Sequence, residues 1–69
     1  MYRTVLERLR YENVESVADL AKRVGLSETT IRATETRSLK PGRKTIARLE
    51  HAFRTDIKTL LSKPKQVTY

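Results

Sequence analysis

The chain of 69 residues has no cysteine, one histidine, two glycines, two prolines and no long apolar run. Without cysteine, disulfides and thiolate metal sites are excluded. His51 alone cannot build a metal cluster or a Ser/His/Asp triad, so we expect no metal, no cofactor and no small-molecule ligand. A nucleophile–base pair and a phosphate-binding glycine-rich loop are also missing, which argues against an enzyme. No segment approaches the roughly 20 apolar residues that span a bilayer, and no signal-peptide core follows Met1. We therefore expect a cytoplasmic protein that does not contact membranes.

The charge is one-sided along the chain. Residues 1–35 carry six basic and six acidic side chains, whereas residues 36–69 carry nine basic and two acidic ones. The whole excess of +7 therefore lies in the second half. Such a field suits a polyanion, with nucleic acid as the first choice and an acidic membrane as the second. A solubilising surface is the alternative interpretation.

The most informative segment is 16–35, which predicts two short helices around a tight corner. Apolar residues at helical spacing (Val17, Leu20, Ala21 and Val24) end at Gly25, a residue that adopts the left-handed conformation of many helix ends. Ser27 is a good N-cap for the next helix, in which Ile31 and Thr34 continue the buried face. Two such helices form a helix-turn-helix motif, whose second helix enters the DNA major groove.

The rest of the chain adds three helices. The first is predicted over about Tyr2 to Glu12, with a stripe of Tyr2, Val5, Leu6 and Leu9. Of the two helices already described, helix 2 follows Ser16 and ends near Val24, with Asp19 completing an approximate capping box. Helix 3 runs from about Glu28 to Glu35 or slightly beyond. Residues 36–44 form a loop around Pro41 and Gly42. Helix 4 runs from about Arg43 to Phe53 with Ile46, Leu49, Ala52 and Phe53 inward. Helix 5 runs from about Ile57 to Leu61, capped by Thr55 or Asp56. We therefore predict an all-α, compact five-helix bundle over 1–61, followed by a tail over 62–69 that is flexible or contacts a dimer partner.

Taken together, these residues resemble the phage repressor and Cro type of helix-turn-helix domain, the Xre-type or lambda-repressor-like family. The resemblance covers about Val5 to Leu61. Its motif residues within helices 2 and 3 are Leu20-Ala21, Gly25, Ser27, Ile31 and Glu35. Outside them, Pro41, Thr45, Ile46, Leu49 and Phe53 match in order.

The chain departs from the family pattern at three places. Val17 stands where a glutamine often binds phosphate, so that contact would pass to Ser16 or to backbone amides. Thr34 replaces a usual apolar residue. Thr36-Arg37 replaces a common Asn-Gly, which leaves open whether helix 3 ends or runs on.

The resemblance implies a set of base-contacting residues at the start of helix 3. Arg32 can bind guanine O6 and N7, or meet a phosphate instead. Glu28 can accept from cytosine N4, or merely complement the helix dipole. The full expected set is Glu28, Thr29, Thr30, Arg32 and Ala33.

Two further groups follow from the charges and the family pattern. The expected phosphate contacts are Ser16, Ser27, Arg37, Lys40, Arg43 and Lys44, since no acid interrupts 36–49. Arg10 and Glu35 match an Arg–Glu ion pair found in part of the family; separate surface charges are the alternative.

These inferences predict a Cro-like repressor that binds double-stranded DNA as a dimer on a palindromic operator. The resemblance also implies a bacterial or phage-infected cell as its place of action. The candidate dimer contacts are Phe53, Ile57, Leu61 and Tyr69. Two other functions stay open. One is an antitoxin-like or adaptor protein whose main partner is another protein, and the other is an RNA or ribosome-associated protein.

Overall fold

The computed structural model, which describes residues 2–64, contains five helices. They are α1 (Val5–Glu12), α2 (Val17–Val24), α3 (Glu28–Glu35), α4 (Arg43–Phe53) and α5 (Ile57–Leu60). No β-strand occurs within this range, so the predicted all-α class is confirmed. No helix in it has the length and apolar character needed to cross a bilayer. The predicted bounds of α2, α3 and α4 are correct, whereas α1 and α5 are shorter than expected.

The start of α1 differs from the prediction because Thr4 caps the helix. Its hydroxyl accepts a hydrogen bond from the amide of Glu7 at 3.2 Å and donates to the backbone oxygen of Glu35 at 3.0 Å. Thr4 is fully buried. Because the backbone of Thr4 is extended and its side chain caps the helix, α1 begins at Val5 and Tyr2 lies outside it. Tyr2 is therefore not part of a buried stripe; it is partly exposed and lies against the ring of Tyr11.

The core collects one apolar face from each helix. Leu6, Leu20, Ile31, Leu49 and Leu60 are fully buried. Around them pack the partly buried side chains Leu9, Val17, Leu26, Ala52, Phe53 and Ile57. Ile46, predicted to point inward, is only half-buried. Thr34 is buried without a lost hydrogen bond, since its hydroxyl donates to the backbone oxygen of Thr30 at 2.7 Å.

The last helix is capped from outside its own sequence. Asp56 occupies the N-cap position of α5, but its side chain makes no capping bond. The amide of Ile57 instead donates to the carboxylate of Glu50 on α4 at 2.8 Å. Leu61, predicted as helical, is the C-cap residue. A charge-assisted bond between two helices thus replaces the local cap that the sequence suggested.

Left-handed residues end four of the five helices. Gly25 does so at φ 73°, as predicted, but Val14, Arg37 and Arg54 adopt φ values of 51–57° with a side chain present. After α3, the amide of Ser38 bonds to the oxygen of Ala33, so the helix ends at Glu35 with Thr36 as its C-cap and does not run on. Val14 is the most strained case, because a β-branched residue is rare in this conformation. Its side chain is 89% exposed and gains nothing from burial.

Replacing Val14 with glycine is expected to stabilise the protein by about 1 kcal/mol. Left-handed strain of about 1–3 kcal/mol is removed, against a glycine entropy cost of about 0.5–1 kcal/mol. Urea denaturation measures the change. The control V14A keeps a Cβ atom in the left-handed conformation and should recover less than V14G. A V14G variant no more stable than V14A would refute the assignment of strain.

Candidate nucleic-acid interface

The corner between α2 and α3 is built from local capping signals. Ser16 and Asp19 form the predicted capping box, with amide-to-side-chain bonds of 3.0 and 3.2 Å. At the other end of α2, the amides of Gly25 and Leu26 both reach the oxygen of Ala21. The hydroxyl of Ser27 then accepts from the amide of Thr30 at 3.1 Å and opens α3. The short connection from Gly25 to Ser27 therefore fixes where α3 begins relative to α2.

Arg48 on α4 lies directly over this corner. Its Nη1 donates to the backbone oxygen of Val24 at 3.2 Å, which places a cation at the C-terminus of α2. A Cβ atom added to Gly25 would lie 2.6 Å from that nitrogen. Glycine thus suits both the positive φ and the close approach of Arg48. No spacing in the sequence pointed to this contact.

The inner side of α3 is held by the predicted Arg10–Glu35 ion pair. Arg10 Nε donates to one carboxylate oxygen at 2.6 Å and Nη2 donates to the other at 3.1 Å, a bidentate geometry. The two residues are only 6% and 2% exposed. The hydrogen bond that Arg10 donates to Glu35 is the main cause that raises the pKa of Arg10 above its ordinary value, so the guanidinium remains charged at physiological pH.

Two neighbours extend this pair into a network. Arg10 Nη1 donates to the backbone oxygen of Glu15 at 2.9 Å. The carboxylate of Glu15 accepts two bonds of 2.8 Å from Arg23 on α2. Together with the bond from Thr4 to the Glu35 backbone, these contacts join α1, α2 and the end of α3. The Glu15–Arg23 pair was not predicted, since a separation of eight residues across a turn carries no helical signal.

The outer side of α3 presents the expected base-contacting residues unevenly. Glu28, Thr29 and Arg32 are exposed, while Ala33 is half-buried. Ile31, Thr34 and Glu35 form the buried side. Glu28 and Arg32 lie one turn apart, and their side chains are paired at 3.6 Å.

Thr30 occupies a different position from these three. It is half-buried, and its hydroxyl lies 2.8 Å from that of Ser27. Both hydroxyls are thus engaged in the cap of α3, and one proton serves the bond between them. This geometry weakens Thr30 as a base contact and Ser27 as a phosphate contact.

The four cations expected to meet phosphate lie together after α3. Arg37, Lys40, Arg43 and Lys44 are all exposed, and none pairs with an acidic side chain within residues 2–64. The last two occupy the first turn of α4, which begins at Gly42 without a side-chain cap or an acidic residue. Two cations at the positive end of a helix repel its dipole slightly, and an anion bound there would relieve this repulsion.

The start of α2 differs in charge from the start of α4. There the carboxylate of Asp19 accepts the amide of Ser16. This bond lowers the pKa of Asp19, so the group is ionised at neutral pH. A carboxylate already bound at this helix end competes with a phosphate for the same amide. Ser16 is therefore a poorer phosphate ligand than the sequence suggested.

The candidate dimer contacts separate into two groups. Phe53 and Ile57 are partly buried against the core of their own chain, and Leu61 is half-buried. Phe53 also lies 5.2 Å from the guanidinium of Arg23. Tyr69 and the rest of the tail beyond residue 64 lie outside the described residues.

Comparisons of the chain with protein-family models, curated proteins and solved structures gave no match.

Breaking the Arg10–Glu35 pair from one side is expected to destabilise the protein severely. R10M leaves the Glu35 carboxylate buried without its partner, which costs about 3–5 kcal/mol. The double variant R10M/E35L removes both charges and should recover much of that loss. Urea denaturation of the three proteins tests this. A single variant as stable as the wild type, or a double variant that is worse still, would contradict the role assigned to the pair.

Proposed function

We propose that this protein is a sequence-specific double-stranded DNA-binding regulator of the repressor and Cro type, acting as a repressor by occupying a promoter. One observation carries the proposal. The helix α3 is anchored on its inner side by a buried ion pair and presents Glu28, Thr29 and Arg32 outward. It is followed directly by four exposed cations without acidic partners in the described chain.

This arrangement suits the two kinds of contact that DNA recognition needs. Side chains at the start of a recognition helix reach base edges in the major groove, where each base pair has its own pattern of donors and acceptors. Phosphate contacts supply most of the affinity and fix the register of the protein on the duplex. In this chain Glu28, Thr29 and Arg32 would read bases, while Arg37, Lys40, Arg43 and Lys44 would bind phosphates.

A single helix of eight residues reads only a few base pairs, so specific binding needs two copies. A two-fold dimer on a palindromic operator meets that need, with half-sites about 34 Å apart. Among the described candidates, the half-buried Leu61 is the better dimer contact, since Phe53 and Ile57 contribute to the core of their own chain.

A second candidate function, binding of another protein as an adaptor or antitoxin does, is favoured by a different surface. Tyr11 and Val14 are exposed near the end of α1, and Val14 keeps a strained backbone there. Strain that no contact among residues 2–64 offsets is a reason to look for function. This surface lies outside the set of base and phosphate contacts named above.

Selection from a randomised duplex pool tests the DNA-binding proposal. We expect enrichment of a palindrome with half-sites about one helical turn apart. A randomised single-stranded RNA pool is the control and should yield no enriched sequence. Binding to all duplexes alike, or no binding, would overturn the proposal and favour the adaptor function.

Replacement of one phosphate-binding cation should weaken all duplexes alike. For R43A we expect a uniform loss of affinity and a salt dependence flatter by about one unit, as for the loss of one phosphate contact. The matched control K22A removes the same charge from an exposed position on α2 and should leave the slope unchanged. Fluorescence anisotropy at several salt concentrations gives both quantities. A loss confined to certain sequences would contradict the assignment of Arg43 to phosphate.

A further inference from the structure

The geometry of α3 points to a coupled reading unit: Glu28 and Arg32 together recognise one base pair, with a preference for guanine–cytosine in a single orientation. This inference rests on the proposed function and adds which base pair these residues select. Its starting point is the pairing of the two side chains at 3.6 Å, which joins Arg32 Nη2 to Glu28 Oε1.

The Glu28–Arg32 pair is accessible to a ligand. The side chains are 69% and 52% exposed, and an exposed pair of this kind adds little to stability. The contact of Arg32 Nη2 with Glu28, at 3.6 Å, is longer than a hydrogen bond. The adjacent Nη1 and Nη2 groups form one edge of the guanidinium and can bind a guanine bidentately, while Glu28 offers only acceptors.

The spacing matches one base pair. In a guanine–cytosine pair the guanine O6 and the cytosine N4 are themselves hydrogen-bonded, about 2.9 Å apart. A donor and an acceptor held side by side, as in Arg32 and Glu28, can therefore address both atoms together. Arg32 donates to O6 and N7 of guanine, and Glu28 accepts the outward N4 hydrogen of cytosine.

The same geometry ranks the other base pairs. Thymine–adenine offers O4 to Arg32 and the N6 hydrogens to Glu28, but it lacks an acceptor for the second arginine donor and places adenine N7 near the carboxylate. Adenine–thymine sets thymine O4 against Glu28. Cytosine–guanine is worst, because the N4 hydrogens meet Arg32 and the guanine acceptors meet Glu28. The expected order is G·C, then T·A, with A·T and C·G last.

The residues next to the pair, Thr29 and Ala33, are compatible with this contact to a base pair. Thr29 is exposed beside Glu28, and Ala33 is small and follows Arg32. Small side chains next to the pair allow α3 to approach the groove floor, where a threonine methyl can contact a thymine methyl. Thr30 does not compete, because its hydroxyl is bound to that of Ser27.

A double-mutant cycle on four duplexes tests the unit. Repeating the selection with R32M identifies the operator position whose base preference depends on Arg32. The four duplexes carry G·C, T·A, A·T or C·G at that position in both half-sites. The proteins are the wild type, E28Q, R32M and E28Q/R32M. We expect the wild type to favour G·C over C·G by at least tenfold. E28Q should reduce that ratio about tenfold, because a glutamine amide can also donate to guanine. The double variant should lose no more discrimination than R32M alone.

A matched control comes from α1. Arg8 and Glu12 form another i, i+4 pair at 3.7 Å, in which Glu12 is exposed and Arg8 is half-buried, so E12Q breaks a contact of the same type away from α3. This variant should keep the wild-type ranking, and the melting temperature of E28Q should match that of the wild type.

The outcomes distinguish failure of the coupled Glu28–Arg32 unit from failure of the proposed DNA-binding function. If the wild type selects a palindrome but E28Q leaves the ranking of the four duplexes unchanged, or if the two substitutions act additively, the coupled unit is wrong and the DNA-binding proposal survives. If the wild type shows no sequence preference at any position, the proposed function itself fails.

Discussion

The buried ion pair between Arg10 and Glu35 is the interaction on which the position of α3 depends. A buried carboxylate without its partner costs several kcal/mol, so the fold is stable only when α1 and the end of α3 keep this relation. The bidentate geometry fixes direction as well as distance. Bonds from Thr4 to the Glu35 backbone and from Arg10 to the Glu15 backbone make the same junction depend on several contacts.

Because this junction buries one side of α3, the two sides of the helix have different roles. On the inner side, Ile31, Thr34 and Glu35 are all buried, and the polar groups of the last two have partners. On the outer side, the exposed side chains of Glu28 and Arg32 pair with each other. The positive charge lies elsewhere, in the segment that follows α3, so affinity for an anion and selectivity among ligands would reside in different residues. Such a division allows one property to change without the other.

The sequence predicted most of the fold because most helix ends are set by neighbouring residues. Ser16 with Asp19, Gly25 and Ser27 each act within one turn, and their bounds agree with the structure. The prediction failed for Thr4, because the apolar stripe continued past the true cap to Tyr2. It also missed the bond from the Ile57 amide to Glu50 and the bond from Arg48 to the Val24 oxygen, which depend on how distant helices meet. For the candidate site, the sequence shows the charges, but the hydrogen bond between the hydroxyls of Thr30 and Ser27 depends on side-chain positions in the folded chain.

The three left-handed turns at Val14, Arg37 and Arg54 have a consequence for the lifetime of the protein in a cell. A short chain with a small core has little stability in reserve, and strain at three helix ends reduces that reserve further. A ligand that binds only the folded chain adds stability in proportion to the logarithm of its concentration over its Kd. Degradation that follows the unfolded population would then remove unbound copies first. If the protein binds DNA as proposed, this strain would make the amount of protein in the cell depend on how many binding sites are available to it.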